Sequence, residues 1–204
     1  MKIFITGIGG AIGSHVAEAL LSRGDTVVGI DNLDPYYNPR IKQLNIDTII
    51  AKGGEVVIGD INDFDFSTLP NIDALMHFAA QPGISAGTSF EHYVRNNISA
   101  THRLLTYALT ISQLKAFIHI STSSIYGESA RGSEEVVPKP ISPYGVTKLA
   151  AEQLALSKWR SDKLPVVALR LFSVFGPRER PEKLYHKLID AIEAGRDFPL
   201  HRHK

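Results

Sequence analysis

The chain has no cysteine, which excludes disulfides and thiolate metal sites alike. It also lacks any uninterrupted apolar run approaching the ~18 residues that a membrane-spanning helix needs. Neither sign of charge prevails: 22 Lys and Arg against 21 Asp and Glu leave a net charge of +1, which gives no electrostatic footing for nucleic acid. Internal repeats and low-complexity segments are absent too. What is present, 204 residues of which 44% are hydrophobic, suffices for one domain with a substantial core. A globular, cytoplasmic protein is the expectation. Two small features compete with it. Lys2 precedes an apolar run and Ala17-Glu18-Ala19 resembles a small-x-small cleavage site, the pattern of a secretory signal. Asn97-Ile98-Ser99 is formally a glycosylation sequon, but without a credible signal it reads as helix surface. His201 and His203 flank Arg202, yet no carboxylate or further histidine is placed to complete a shell, so no metal is assigned.

The stretch KIFITGIGGAIG, Lys2 to Gly13, organises the rest. Ile3, Phe4 and Ile5 form the short apolar run of a strand buried on both faces, and Thr6-Gly7 closes it. Gly7, Gly10 and Gly13 follow in the spacing G-x-x-G-x-x-G, and from Ala11 the chain reads as helix up to Gly24. Bare backbone can approach a pyrophosphate closely, while the unpaired N–H groups and positive dipole end of the helix face that anion. A glycine triplet alone is weak, because plain turns use it as well. Context strengthens it: a second strand, Thr26 to Ile30, ends in Asp31, 18 residues beyond Gly13. This is close to the separation at which an acid accepts hydrogen bonds from the adenosine ribose of a dinucleotide. No arginine adjoins Asp31 to receive a 2′-phosphate, so NAD is expected to bind better than NADP.

Strands and helices then alternate. A helix is expected from about Ile41 to Ala51, a third strand over Glu55 to Gly59 and a fourth over Ala74 to Phe78. Asp60-Ile61 follows the third strand, where Asp60 reads equally well as a partner for the adenine amino group or as a turn acid. Ser89 caps a long helix whose Phe90, Val94, Ile98, Thr101, Leu105 and Ala108 recur at spacings of three and four and should pack on the sheet. Phe117 to Ile120 is the fifth strand, with four hydroxyls, Ser121 to Ser124, at its carboxyl end; locally these read as an ordinary serine-rich turn. Gly127 to Pro140 looks like a surface loop. Ser142 and Pro143 open a helix to about Trp159 that puts Tyr144 and Lys148 on one face. Val166 to Phe172 is the sixth strand, and Arg180-Pro181 opens a last helix to about Ala194. The pattern predicts an α/β, Rossmann-type doubly wound parallel sheet with helices on both faces.

Tyr144 and Lys148 carry the chemistry. A tyrosine ordinarily titrates near pH ~10, so one acting as a base needs cations beside its phenolate. Lys148, one turn along, is expected to be such a cation, and a positively charged nicotinamide would act in the same direction. Thr122 would hold a substrate alcohol. The Tyr-Lys pair alone is a weak signal; its place beside the hydroxyl run, after the fifth strand, gives it weight.

Taken together, TGIGGAIG (Thr6 to Gly13), GIDN (Gly29 to Asn32), GDI (Gly59 to Ile61), HFAAQPG (His77 to Gly83), STSSIYG (Ser121 to Gly127), YGVTK (Tyr144 to Lys148) and LRLFSVFGPRERP (Leu169 to Pro181) cover nearly the whole chain. On these motifs it resembles the extended short-chain dehydrogenase/reductases, in their NAD-dependent sugar-nucleotide epimerase/dehydratase family. That resemblance implies Thr122, Tyr144 and Lys148 as catalytic residues. It implies NAD held by Gly7, Gly10, Ala11, Ile12, Gly13, Asp31, Asn32, Asp60, Ile61, Phe78, Ala79, Ala80, Asn97 and Ser121, with Tyr144 and Lys148, and a sugar nucleotide held by Gln81, Ser123, Ser173 and Arg180. It also implies a homodimer through the helices near 90–111 and 142–160. DNLDPYYNPR and GPRERPEK further resemble the branch that epimerises UDP-glucuronate at C4.

The chain departs from that family in three places. Members continue into a smaller domain that closes over the sugar nucleotide. The expectation here is therefore one NAD-binding domain over residues 1–204, its substrate-side segment beginning near 174, with the substrate domain largely missing. This keeps open a protein that binds NAD or a nucleotide without turnover. Ala11 stands where relatives often carry phenylalanine. Ser124 stands where members that eliminate water or carbon dioxide carry an acid, and a serine is a poor general acid near neutral pH. Epimerisation by reversible oxidation at C4 is thus expected over the dehydratase, decarboxylase or reductase alternatives.

Overall fold

Six strands lie parallel in the order β3-β2-β1-β4-β5-β6 in a computed structural model of the chain, which describes residues 1–83 and 87–198. They are β1 (Lys2–Thr6), β2 (Thr26–Asp31), β3 (Glu55–Ile58), β4 (Ala74–His77), β5 (Ala116–Thr122) and β6 (Val166–Leu171). Between and after them run α1 (Ala11–Ser22), α2 (Pro39–Ala51), α3 (Phe90–Tyr93), α4 (Ala100–Ala108), α5 (Pro143–Asp162) and α6 (Leu184–Glu193). His201 and His203 lie outside the described residues. Among the described residues no helix is long and apolar enough to cross a membrane.

The apolar run of β1 is buried on both faces because helices cover both. Ile3 and Ile5 join Val27, Ala74, Ala17, Leu20 and Ile49 beneath α1 and α2. Phe4, between them in sequence, points the other way into a second core with Val28, Ile30, Leu75, Phe117, Leu104, Leu105 and Ala155 beneath α4 and α5. Each fully buried large side chain contributes ~1.5–3 kcal/mol. On β6 this cover is one-sided: Val166 is buried, while Val167 and Leu169 are 47% and 41% exposed.

Two elements differ from the sequence expectation. The long helix after Ser89 is interrupted by a π-helical segment, Val94–Ser99. Hydrogen bonds there span five residues, so each turn takes up more chain and the buried stripe rotates. Phe90 is consequently 52% exposed, and Tyr93, Asn97, Ala100 and Leu104 face inward with Thr101, Leu105 and Ala108. The last helix begins at Leu184, not at Arg180-Pro181, because Lys183 N donates to Arg180 O and closes a separate turn first. Elsewhere only ends move. Asn38 caps α2 by accepting from Arg40 N, which starts that helix at Pro39. β5 extends through Ser121 and Thr122, which pair with Arg170 and Leu171 and so fix both hydroxyl residues in the sheet.

Candidate active site

β1 lies between β2 and β4, where the strand order reverses, and open α/β sheets bind ligands at the carboxyl ends of such strands. Gly7 leaves β1 with φ of +68°, and a Cβ placed on it would lie 2.7 Å from Ala79 N, at the end of β4. A Cβ on Gly13 would in turn run into Gly7 O. The glycines therefore let α1 start tight against two strand ends. Its N-cap, Gly10, has no side chain to satisfy the first-turn N–H groups. Gly7, Gly10, Ala11, Ile12 and Gly13 line a cavity of about 260 Å³, toward which the positive end of α1 points.

The far wall of this cavity is built by Asp31, Asn32, Asp60, Ile61 and the turn that follows β2. Asp31 is fixed from behind, accepting from Gly9 N at 3.0 Å and from Leu33 N at 2.9 Å. Asp60 accepts from Asn62 N at 2.8 Å and from the Arg95 guanidinium at 2.5 Å. Burial pushes its carboxyl upward, but the hydrogen bonds from Arg95 and Asn62 outweigh that and hold it below the ordinary range. Phe78, Ala79, Ala80 and Gln81 complete the near wall. An extended, glycine-floored groove with an acid at one end and a helix N-terminus at its middle fits a dinucleotide.

Ala11, Ile12, Phe78, Ala80, Ile120 and Arg180 also border a second cavity of about 760 Å³, so the two adjoin. Ser121, Thr122, Ser123, Ser124, Tyr144, Lys148 and Ser173 line it. A Cβ on Gly145 would lie 2.7 Å from Ser124 O, so glycine there lets the start of α5 close onto the 3₁₀ turn Ser123–Tyr126. Ser142 caps α5 by accepting from Gly145 N at 3.1 Å. Tyr144, in the first turn of α5, thereby lines the same cavity as Thr122. Thr122 Oγ1 accepts from Ser124 N at 3.2 Å, which holds the turn.

Burial raises the Tyr144 phenol, and hydrogen bonding with Thr122 and the charge of Arg180 pull it back. The Lys148 ammonium donates to Ile120 O at 2.5 Å, and burial lowers it to about 8, opposed by the charge of Glu152 one turn further along α5. Arg180, whose charge lowers the Tyr144 phenol, stands 5.1 Å from the Tyr36 ring and pairs with Glu182 at 3.0 Å.

Two expected site residues sit differently from the rest. Asn97 reaches neither cavity: it is fully buried, accepting from Gln81 N at 2.7 Å and donating to Thr147 Oγ1 at 3.1 Å. Gln81, expected on the substrate side, lines the smaller cavity, with its Oε1 2.8 Å from His92 Nε2. Five residues escaped the sequence reading: Lys42 and Arg95 at the two acids, Glu152 with Arg170, and Arg178, which pairs with Glu18. The i, i+4 spacing of Lys148 and Glu152 was the only local signal for any of them.

The model of the NAD dependent epimerase/dehydratase family matches residues 3–202. Among curated relatives, the chain is 39% identical over 195 residues to a Bacillus subtilis protein named an uncharacterized UDP-glucose epimerase, covering 93% of this chain and 61% of that protein. It is 37% identical over 219 residues to a trifunctional UDP-glucose 4,6-dehydratase/UDP-4-keto-6-deoxy-D-glucose 3,5-epimerase/UDP-4-keto-L-rhamnose-reductase of Arabidopsis thaliana, covering 98% of this chain and 31% of that one. Among solved structures, a UDP-glucuronic acid 4-epimerase from Bacillus cereus in complex with UDP-glucuronic acid and NAD is similar with a TM-score of 0.90 and 42% identity, over 96% of this chain and 64% of that chain. The chain therefore spans less than two thirds of the relatives it matches.

Proposed function

The chain belongs to the NAD dependent epimerase/dehydratase family, and from that membership we propose that the protein interconverts a UDP-uronic acid, UDP-glucuronate foremost, with its C4 epimer. Bound NAD supplies the acceptor, and later the donor, of a hydride at C4. The observation that carries the reading is the meeting of Thr122, Ser124 and Tyr144 in the larger cavity, which shares a wall with the dinucleotide groove. Thr122 orients the C4 hydroxyl, and Tyr144 takes its proton and returns it. Arg180 favours the Tyr144 phenolate and offers a positive charge to an anionic sugar nucleotide. Lys148, anchored on Ile120 O, keeps an ammonium at the floor.

Ser124 supports epimerisation over elimination, since it supplies no titratable proton beside Thr122. The acid that does line the cavity, Glu179, belongs to the 172–183 segment and not to the turn after β5. Incubating the protein with NAD and UDP-glucuronate and following products by NMR tests this. UDP-galacturonate is expected; UDP-xylose or a stable 4-keto sugar would overturn it. The same proposal includes a homodimer through α3, α4 and α5, on which Phe90, Val146 and Trp159 are exposed. A monomeric mass by light scattering at micromolar concentration would count against that part.

A further inference from the structure

Sequence places no basic residue next to Asp31, but the fold supplies one. Because α2 starts at Pro39, it carries Lys42 into the wall of the smaller cavity, where only 10% of the side chain is exposed. Its Nζ lies 3.9 Å from Asp31 Oδ1 and 5.0 Å from the Tyr37 ring, and it donates to Asp34 O at 3.0 Å. An ammonium has three N–H donors, and 3.9 Å is too long for a hydrogen bond. Asp34 O thus uses one donor, and the cavity is the space toward which the others are available. Asp31 has the converse geometry: backbone N–H groups of Gly9 and Leu33 take one acceptor position on each oxygen, and the remaining positions face the same cavity.

We propose that Lys42 is a second determinant of dinucleotide choice. An acid at the end of β2 is where the adenosine ribose of a bound dinucleotide is read. A 2′-phosphate there would meet a carboxylate and an ammonium 3.9 Å apart, so the attraction of one is cancelled by the repulsion of the other, and its desolvation goes uncompensated. Ribose hydroxyls have no such conflict, since they donate to Asp31 and accept from Lys42. Removing the carboxylate reverses the balance: Lys42 is left without its counter-charge, and the N–H groups of Gly9 and Leu33 lose their acceptor. Three donors then converge on the place a 2′-phosphate would occupy, which makes Lys42 a latent receptor that Asp31 holds in check. The inference rests on the dinucleotide reading of the groove, and its test separates the two.

NAD and NADP are titrated calorimetrically into the wild type, Asp31→Ser, Asp31→Ser/Lys42→Met and Asp31→Ser/Lys42→Arg, with thermal unfolding of each recorded in parallel. The wild type should prefer NAD, and Asp31→Ser should bring NADP to parity or better. Adding Lys42→Met should weaken NADP by about tenfold to a hundredfold, the worth of a charge-assisted hydrogen bond, while NAD changes by less than about threefold. Lys42→Arg should retain NADP binding. Should Asp31→Ser melt below the assay temperature, Asp31→Asn supplies the same comparison. If Lys42→Met leaves NADP affinity untouched in a variant that is still folded, or weakens both dinucleotides equally, the role given to Lys42 is wrong. Failure of the wild type to bind either dinucleotide would instead remove the cofactor reading beneath it.

Discussion

Lys148→Met should make the chain more stable at neutral pH and less stable in alkali. Lys148 is 4% exposed, and burial holds its ammonium at about 8 against an ordinary value of 10.5. The folded chain therefore binds this proton more weakly than the unfolded chain. Its protonated form burdens the fold below pH 8, and the burden fades as pH rises from 8 to 10.5. The gap between the two values corresponds to ~3 kcal/mol. Methionine removes the charge at similar length but also removes the bond to Ile120 O, a loss of ~1 kcal/mol. The variant should gain ~2 kcal/mol at pH 7 and lose ~1 kcal/mol near pH 10.5. Urea unfolding of both proteins at several pH values between 7 and 10.5 measures this, and titrations shared by the two cancel in the difference. A difference that stays constant with pH would refute the reasoning.

The buried histidines set the acid limit. Burial, with the charge of Lys148, holds His77 down to about 3, and His119 is lowered for the same reasons with His77 as a further contributor. Unfolded histidine binds protons below pH ~6.5, so the stability of the neutral buried form is complete above that and drains as pH falls toward 3. His77 alone should remove ~2 kcal/mol by pH 5, read from denaturant midpoints; an unchanged midpoint between pH 7 and 5 would contradict the burial argument. Gly7→Ala combines positive φ with a contact 2.7 Å from Ala79 N, and should cost more than ~2 kcal/mol in thermal unfolding and abolish dinucleotide binding. Wild-type NAD affinity in that variant would show that the groove does not depend on the close approach of β1 and β4.

Local chemistry decided how much could be read ahead of the structure. Gly7, Gly10, Gly13 and Asp31 were legible because each answers a demand set by its own neighbours: a strand that ends, a helix that starts, an acid one strand later. Tyr144 and Lys148 were legible as a pair because helical spacing puts them on one face, but the anchor of the ammonium was not. Where an ammonium settles depends on side-chain direction and on what it finds nearby, here Ile120 O from β5. Lys42, Arg95 and Arg178 were invisible because their partners lie 11, 35 and 160 residues away. The turn of π-helix was invisible too, since no residue type in Val94–Ser99 marks where the hydrogen-bond ladder shifts.

The burial of Asn97 and the position of Lys148 have one cause. The core beneath α4 and α5 is apolar up to Leu75 and Phe117 and becomes polar one step further along each strand, at His77 and His119. His77 has Thr6 Oγ1 at 2.7 Å from Nδ1 and Thr101 Oγ1 at 2.9 Å from Nε2, whereas His119 and the Ser121 hydroxyl have no hydrogen-bond partner among the described residues. Glu152, fully buried, accepts from Nε and Nη2 of Arg170, whose Nη1 donates to the Tyr126 hydroxyl and to the Glu134 carbonyl. Apolar residues of similar volume would leave such a layer no less stable, since a buried ion pair seldom recovers its desolvation and each unmade hydrogen bond costs ~1–3 kcal/mol. What the layer does instead is fix position. Arg170 ties Glu152, and with it the face of α5 that carries Lys148, to the turn that follows Thr122. Asn97 ties Gln81 to Thr147 on the same helix. Tyr144, Thr122 and the wall of the dinucleotide groove are thereby held on one rigid frame, built from groups that a stability criterion alone would have replaced.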